Sequence, residues 1–380
     1  MALLGATGSI GTQTLDVLRA ESERFELVAI AGGQRLAELC AISKEFNVRA
    51  IGVVSERDRD ELRSLVGPET EIVIGGEGLT QLAASADIVV NAVVGFAGLP
   101  VTLSALGAGK RLALANKESL IAAAPLVAKV RDTPGAEILP IDSEHCAIHQ
   151  CLAGSNETGH PDVALIHLTA SGGPFRGMTS QQLSGVTKND ALKHPTWIMG
   201  PKITVDSSTL MNKGLEVLEA SALFGIEAER VNVVVHPQSI VHSMVEYVDG
   251  AVLAQLSLPD MRLPISYCLC SPVRFDHAWG RLDFSKNLLL EFEAPDREAF
   301  GALDLAYAAA RAGGAAPAWL SAANEIAVEA FLNDQLRWAD IVPLVAAVMN
   351  QYVTDPLSSL EDLFENDATA RRLAHGMVPR

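Results

Sequence analysis

The chain has 380 residues, with 46 acidic and 29 basic side chains and a formal charge of -17 at pH 7. A hydrophobic content of 49% excludes a disordered or fibrous chain, and the acidity argues against DNA, RNA or an anionic membrane as partner. Five cysteines without a C-x-x-C pair set aside a disulfide framework and a zinc site, and fit a reducing compartment.

The first 142 residues alternate short apolar runs with helical stretches. The runs lie at 2–4, 27–31, 50–54, 72–74, 88–94, 112–115 and 138–141, and stretches such as 12–20 and 99–109 carry helical spacing. Near-continuous apolar strands separated by helices predict an α/β domain, a parallel sheet covered on both faces. From 143 to 270 the texture becomes α+β. A strand at 163–169 leads into Ser171-Gly172-Gly173-Pro174, a loop follows at 194–201, and a helix is expected from about 207 to 224. Strands follow at 231–235, 240–247 and 251–258, with Asp249-Gly250 as a hairpin turn. Residues 271–300 read as a linker, and 301–380 as a helical bundle with helices at 304–311, 318–333, 341–352 and 359–375. No 18-residue apolar run occurs, so no membrane span is expected. No basic segment precedes the first apolar residues, so no secretory signal is expected, and the chain is assigned to the cytoplasm.

Several places carry chemistry. Gly5-Ala6-Thr7-Gly8-Ser9-Ile10-Gly11 follows the first apolar run and opens a helix. Glycines let backbone N–H groups approach a pyrophosphate, and the helix N-terminus adds partial positive charge. The alternative is an ordinary tight turn, but the strand-turn-helix context favours a dinucleotide. The second strand ends in Ala31-Gly32-Gly33-Gln34-Arg35, without the acid that holds a ribose 2′-hydroxyl. Arg35 there favours a 2′-phosphate and hence NADP; a solvated helix arginine is the other reading.

Asp142-Ser143-Glu144 closes a predicted parallel strand, at the sheet edge where ligands bind. Two carboxylates there suit an oxygen-seeking cation such as magnesium or manganese, or simply a solvated loop. Asn212, Lys213 and Glu216 share a helix face by spacing, so Glu216 is either a third ligand or half of a surface ion pair. Asp206-Ser207-Ser208-Thr209 reads as an N-cap cluster or as phosphate donors. The loop His194-Pro195-Thr196-Trp197-Ile198-Met199-Gly200 is either core packing or a lid that excludes water. His236 and His242 lie on or beside strands, where structural roles are common.

The ordered set is more specific than any part. The glycine turn, Asn116-Lys117-Glu118-Ser119, Asp142-Ser143-Glu144-His145 and Ser171-Gly172-Gly173-Pro174-Phe175 are followed by His194-Pro195 with Trp197. Met211-Asn212-Lys213-Gly214-Leu215-Glu216, His236-Pro237-Gln238-Ser239 and Asn324-Glu325 complete it. In these motifs the chain resembles the 1-deoxy-D-xylulose 5-phosphate reductoisomerase family over nearly its whole length.

The resemblance implies an N-terminal Rossmann-like parallel-sheet domain, an α+β catalytic domain with its lid loop, and a C-terminal helical bundle. It implies Asp142, Glu144 and Glu216 as ligands of one Mg2+ or Mn2+. Ser171, Ser207, Asn212 and Lys213, helped by His194, would surround the substrate phosphate. Ser143, Lys213 and Glu216 would also reach the substrate, with Trp197 over it. Cofactor contacts would come from Thr7, Gly8, Ser9, Ile10, Gly32, Gln34, Arg35, Asn116, Lys117, Glu118 and Gly200. Lys117, Glu144, His194, Lys213 and Glu216 would be catalytic, with His242 and Glu219 nearby. The implied reaction rearranges a phosphorylated sugar and reduces the product with NADPH, in a homodimer.

Two departures stand out. The first strand is short, and Gly33 stands where several relatives carry a basic residue, which leaves Arg35 and backbone groups for the 2′-phosphate. A semialdehyde dehydrogenase on the same architecture would need a cysteine nucleophile, and Cys146 and Cys151 lie in a helical stretch without a nucleophile turn. A dinucleotide sensor would need neither three carboxylates nor a phosphate pocket. Local charge agrees with a small phosphorylated ligand. Residues 165–215 hold five bases (Arg176, Lys188, Lys193, Lys202 and Lys213) against Asp190 and Asp206.

Overall fold

The computed structural model describes residues 1–153, 160–197, 199–276, 279–354 and 357–379; Ile198, in the loop expected to act as a lid, lies outside them. The chain forms two compact units: one of residues 1–120, 127–146 and 260–280, the other of 121–126, 147–259 and 281–380.

The first unit is built from β1 (Ala2–Leu4), α1 (Ser9–Ala20), β2 (Ala29–Ala31), α2 (Leu36–Phe46), β3 (Ala50–Val53), α3 (Glu56–Arg63) and β4 (Glu71–Ile74). Then follow α4 (Gly75–Ser85), β5 (Ile88–Asn91), α5 (Leu99–Gly107), β6 (Arg111–Leu114), the two ends of α6 (Lys117–Val130), β7 (Glu137–Pro140) and the start of α7 (Ser143–Leu152). The strands make one parallel sheet in the order β4-β3-β2-β1-β5-β6-β7. Chain order reverses beside β1, which creates a crevice at the carboxyl ends of the strands. Leu3, Ile30, Ile51, Val90 and Leu139 fill the core with Leu15 and Leu18 of α1, and each such buried side chain contributes about 2 kcal/mol. Pro125 lies inside α6, and Ala123 just before it leaves helical geometry (φ -118°, ψ 21°). Proline cannot donate to the preceding turn, so a kink there has a direct cause.

The second unit holds β8 (Val163–Ala170), α8 (Ser180–Leu183), α9 (Lys188–Ala191), α10 (Pro201–Thr209) and α11 (Met211–Phe224). After these come β9 (Val231–Val235), β10 (Val241–Tyr247) and β11 (Val252–Leu256). The sheet order is β11-β10-β8-β9, with β8 and β9 parallel and β10 antiparallel to both its neighbours. Gly250, at φ 85°, supplies the turn between β10 and β11. The expected single helix at 207–224 is two helices. Leu210 adopts a left-handed conformation (φ 62°, ψ 10°) between α10 and α11. Ser207, Ser208 and Thr209 therefore close α10, and Leu210 is the N-cap of α11.

The helix α12 (Arg262–Cys270), absent from the sequence reading, belongs to the first unit. Its Ile265, Cys268 and Leu269 join that unit's core. The second unit ends in α13 (Ala302–Ala312), α14 (Ala316–Leu332), α15 (Trp338–Met349) and α16 (Leu360–Met377). The middle helix α14 packs on the other three and on α10, and α13 packs on α11. No helix among the described residues is long and apolar enough to cross a membrane.

Candidate active site

The glycine turn joins β1 to α1 at the reversal of strand order. A side chain on Gly11 would collide with the carbonyl oxygen of Gly5, so the turn can close only around glycine. Gly8 is the N-cap of α1 and no side chain caps that helix. The first-turn amides at Ser9 and Ile10 thus have no side-chain competitor, as an incoming pyrophosphate requires. Arg35 reaches back from the start of α2, donates to the carbonyl of Thr7 and pairs with Glu38 at 3.1 Å. A guanidinium is thereby held beside the turn, where a 2′-phosphate would need it. Gly33 faces open space, and the Gly32 amide is held by the Gly52 carbonyl at 3.2 Å. Gln34 adjoins Arg35 in the same loop.

The next group sits at the carboxyl ends of the adjacent strands β6 and β7. Asn116 caps α6, its Oδ1 accepting from the Ser119 amide at 2.8 Å and its Nδ2 donating to the Gly95 carbonyl at 2.7 Å. Lys117 follows at the helix start. Its Nζ lies 2.5 Å from Oδ2 of Asp142, because parallel pairing of β6 and β7 brings the two strand ends level. Glu118 is buried in the first turn of α6. The Glu144 amide donates to Oδ1 of Asp142 at 3.3 Å, and Ser143 Oγ donates to Glu144 at 2.5 Å. His145 Nδ1 lies 3.4 Å from Oδ1 of Asp142. The sequence reading assigned His145 no role; its place three residues after Asp142, at a helix start, is the signal that predicts this approach.

In the second unit, Ser171 directly follows β8. His194 Nδ1 accepts from the amides of Thr196 (3.1 Å) and Trp197 (2.9 Å). The proton of the neutral ring is therefore on Nε2, which faces Ser171 Oγ at 3.0 Å. The Trp197 ring lies 6.3 Å from that of His242, between centroids. The loop after His194 thus meets the sheet through an aromatic contact. Gly200 is the N-cap of α10. Along α11, Asn212 Nδ2 donates to Oε1 of Glu216 at 2.5 Å, and Lys213 Nζ pairs with the other carboxylate oxygen. The side chains of Lys213 and Glu216 are only 6% and 1% exposed, so this is no surface ion pair. Ser207 lies one turn earlier, in α10. His236 Nδ1 bonds the Glu291 carbonyl at 2.8 Å and its ring stacks on Phe292, which makes it a structural histidine.

A glycine turn with a basic neighbour, and two carboxylates, Asp142 and Glu216, each beside a lysine, are compatible with the class of metal-assisted NADP-dependent oxidoreductases. Three family models match the chain: "1-deoxy-D-xylulose 5-phosphate reductoisomerase" over 1–124, and two C-terminal domains of the same enzyme over 138–224 and 256–373. A 1-deoxy-D-xylulose 5-phosphate reductoisomerase of Chlorobium chlorochromatii is 48% identical, over 100% of this chain and 99% of that protein. Among solved structures, the same enzyme of Zymomonas mobilis with NADPH has a TM-score of 0.92 at 41% identity, covering 99% of this chain and 98% of that one. A DOX-P reductoisomerase in complex with NADPH, fosmidomycin and magnesium has a TM-score of 0.92 at 42% identity, covering 99% and 97%.

The chain belongs to the 1-deoxy-D-xylulose 5-phosphate reductoisomerase family. As a member of that family it is an NADP-dependent oxidoreductase.

Proposed function

We propose that Asp142, Glu144 and Glu216 hold one divalent cation, Mg2+ or Mn2+, for the conversion of 1-deoxy-D-xylulose 5-phosphate to 2-C-methyl-D-erythritol 4-phosphate. The carrying observation is that Asp142 and Glu216 are each paired with a lysine, Lys117 and Lys213. A poorly solvated carboxylate needs a counter-charge, and each ammonium supplies positive charge at an oxygen that a cation would take. When bound, the cation supplies Lewis-acid polarisation of the substrate carbonyl. NADPH, when bound, supplies the hydride that reduces the rearranged aldehyde.

The chain's own groups do the placing. Ser171, Ser207, Asn212 and Lys213 hold the substrate phosphate, with His194 fixing the Ser171 hydroxyl. Remote phosphate binding then orients the reacting carbons. Ser143 and Lys213 offer donors to the substrate's hydroxyl end, and Lys117 lies where the cofactor meets the substrate. Trp197 and the 194–201 segment close over it and exclude water. Thr7, Gly8, Ser9, Ile10, Gly32, Gln34, Arg35 and Gly200 contact the cofactor, with Asn116 and Glu118 shaping its site. In domain terms, 1–142 binds NADPH, 143–270 carries catalysis, 271–300 links and 301–380 forms the bundle.

We also assign the chain a homodimer and a bacterial cytosolic setting. The β11 edge strand exposes half of Val252 and of Leu253, which suits a partner subunit, and the relatives are bacterial. The test follows NADPH absorbance with 1-deoxy-D-xylulose 5-phosphate, with and without Mg2+. Metal-dependent oxidation is expected from the native enzyme and none from Glu216→Gln. Near-normal turnover by that variant at low Mg2+ removes Glu216 from the ligand set.

A further inference from the structure

We infer that the C-terminal bundle frames the phosphate cradle, with Asn324 of α14 and Trp338 of α15 as positioning residues. The inference rests on the cradle assignment made above, and it concerns side chains that assignment does not use.

Asn324 Nδ2 donates to Oδ1 of Asp206 at 2.7 Å. Lys202 Nζ lies 3.0 Å from the other oxygen. Asn324 and Asp206 are both buried, at 0% and 1% exposure. A buried carboxylate accepts and never donates, so the amide must present its nitrogen, and a side chain without N–H at 324 removes the donor to Oδ1. Asp206 is the neighbour of Ser207 in the last turn of α10, so the bond fixes where that turn lies.

Trp338 holds the same corner from a second side. Its Nε1 donates to Ser208 Oγ at 2.8 Å. Its ring meets that of Phe175 edge-on, with 5.2 Å between centroids. One indole therefore touches the end of α10 and the loop that begins at Ser171. The corner has no slack. A Cβ on Gly173, which sits at φ 67°, would fall 2.7 Å from the Ser207 carbonyl oxygen. The last turn of α10 and the Ser171 loop must therefore shift together. Past the left-handed Leu210, the Met211 amide donates to Thr209 Oγ1 at 3.3 Å. The orientation of α10 is thus carried into the first turn of α11, which bears Asn212 and Lys213.

Packed elements joined in this way transmit sub-ångström shifts, and a cradle of donors loses affinity when its geometry loosens. Asn324→Asp keeps the side-chain shape and turns the donor into a second carboxylate. The expected result is a rise of about tenfold in KM for 1-deoxy-D-xylulose 5-phosphate and in the inhibition constant of inorganic phosphate. KM for NADPH should stay within about twofold, since the dinucleotide turn is elsewhere. Combining Asn324→Asp with Asp206→Asn exchanges donor and acceptor and should recover most of the loss. Trp338→Phe keeps a ring, removes the N–H and should shift the same two constants by about threefold.

Loss of kcat with all three constants unchanged, or a double variant that recovers nothing, overturns the inference. Should Asn324→Asp fail to fold, unchanged constants in Trp338→Phe overturn it. Ser207→Ala separates the two levels. If it leaves phosphate inhibition untouched, the cradle assignment fails and takes this inference with it. If it weakens phosphate while Asn324→Asp and Trp338→Phe are silent, only the role of the bundle is lost.

Discussion

Lys117 and Asp142 meet at the carboxyl ends of two adjacent parallel strands, Nζ to Oδ2 at 2.5 Å. The lysine begins α6 after β6, and the aspartate follows β7, so the pair depends on the register of those strands. In the proposed site the ammonium and the metal compete for one carboxylate.

Removing each partner should move metal affinity in opposite directions. Lys117→Ala removes the competing ammonium from Asp142 Oδ2 and should lower the Mg2+ concentration needed for half-maximal activity, while turnover falls about a hundredfold. Asp142→Asn should raise that concentration by at least about tenfold. Magnesium titrations of initial rate decide it, and shifts of the same sign in both variants would contradict the competition.

Trp197 reaches His242 across 6.3 Å, in the segment that also carries His194. Trp197→Ala should raise KM for the sugar phosphate and lower kcat together, each by about tenfold, as expected when closure is impaired. Steady-state kinetics check this; unchanged parameters argue against a lid.

Arg35 is held at the glycine turn by the Thr7 carbonyl and Glu38. Arg35→Ala should raise KM for NADPH by about tenfold and leave that for NADH nearly unchanged, because only NADPH carries the 2′-phosphate. Equal effects on both cofactors would place the arginine outside the phosphate contact.

Burial pushes the thiols of Cys151 and Cys270 up to about 11. The reactive form is the thiolate, and between pH 8 and 10 its fraction grows about tenfold per unit for such a group. Iodoacetamide labelling of these two residues, followed by peptide mass spectrometry, should therefore rise steeply across that window. Labelling that levels off by about pH 10 would mean ordinary thiols.

Much of the fold was legible because its signals are local. Seven short apolar runs separated by helical spacing correspond to the seven strands of the parallel sheet. The Asp249-Gly250 turn and the four C-terminal helices also follow from local pattern. The break at Leu210 was not legible, because no glycine or proline marks it and a leucine at φ 62° is held by packing rather than by its own preference. The helix α12 was missed for a similar reason. Pro264 falls in its first turn, and its apolar side chains have meaning only against the core they join.

The candidate site divides along the same line. Asn212, Lys213 and Glu216 share a face because 3.6 residues make a turn, so their sequence spacing already set the contact. Glycines 5, 8 and 11 likewise announced their turn. Sequence spacing did not set Lys117 against Asp142, Ser171 against His194 or Asn324 against Asp206, which are 25, 23 and 118 residues apart. Those pairs depend on which strands are neighbours, on where a loop folds back and on how a distant helix docks. Such contacts are decided by the burial of whole elements, and no single stretch of chain carries that information.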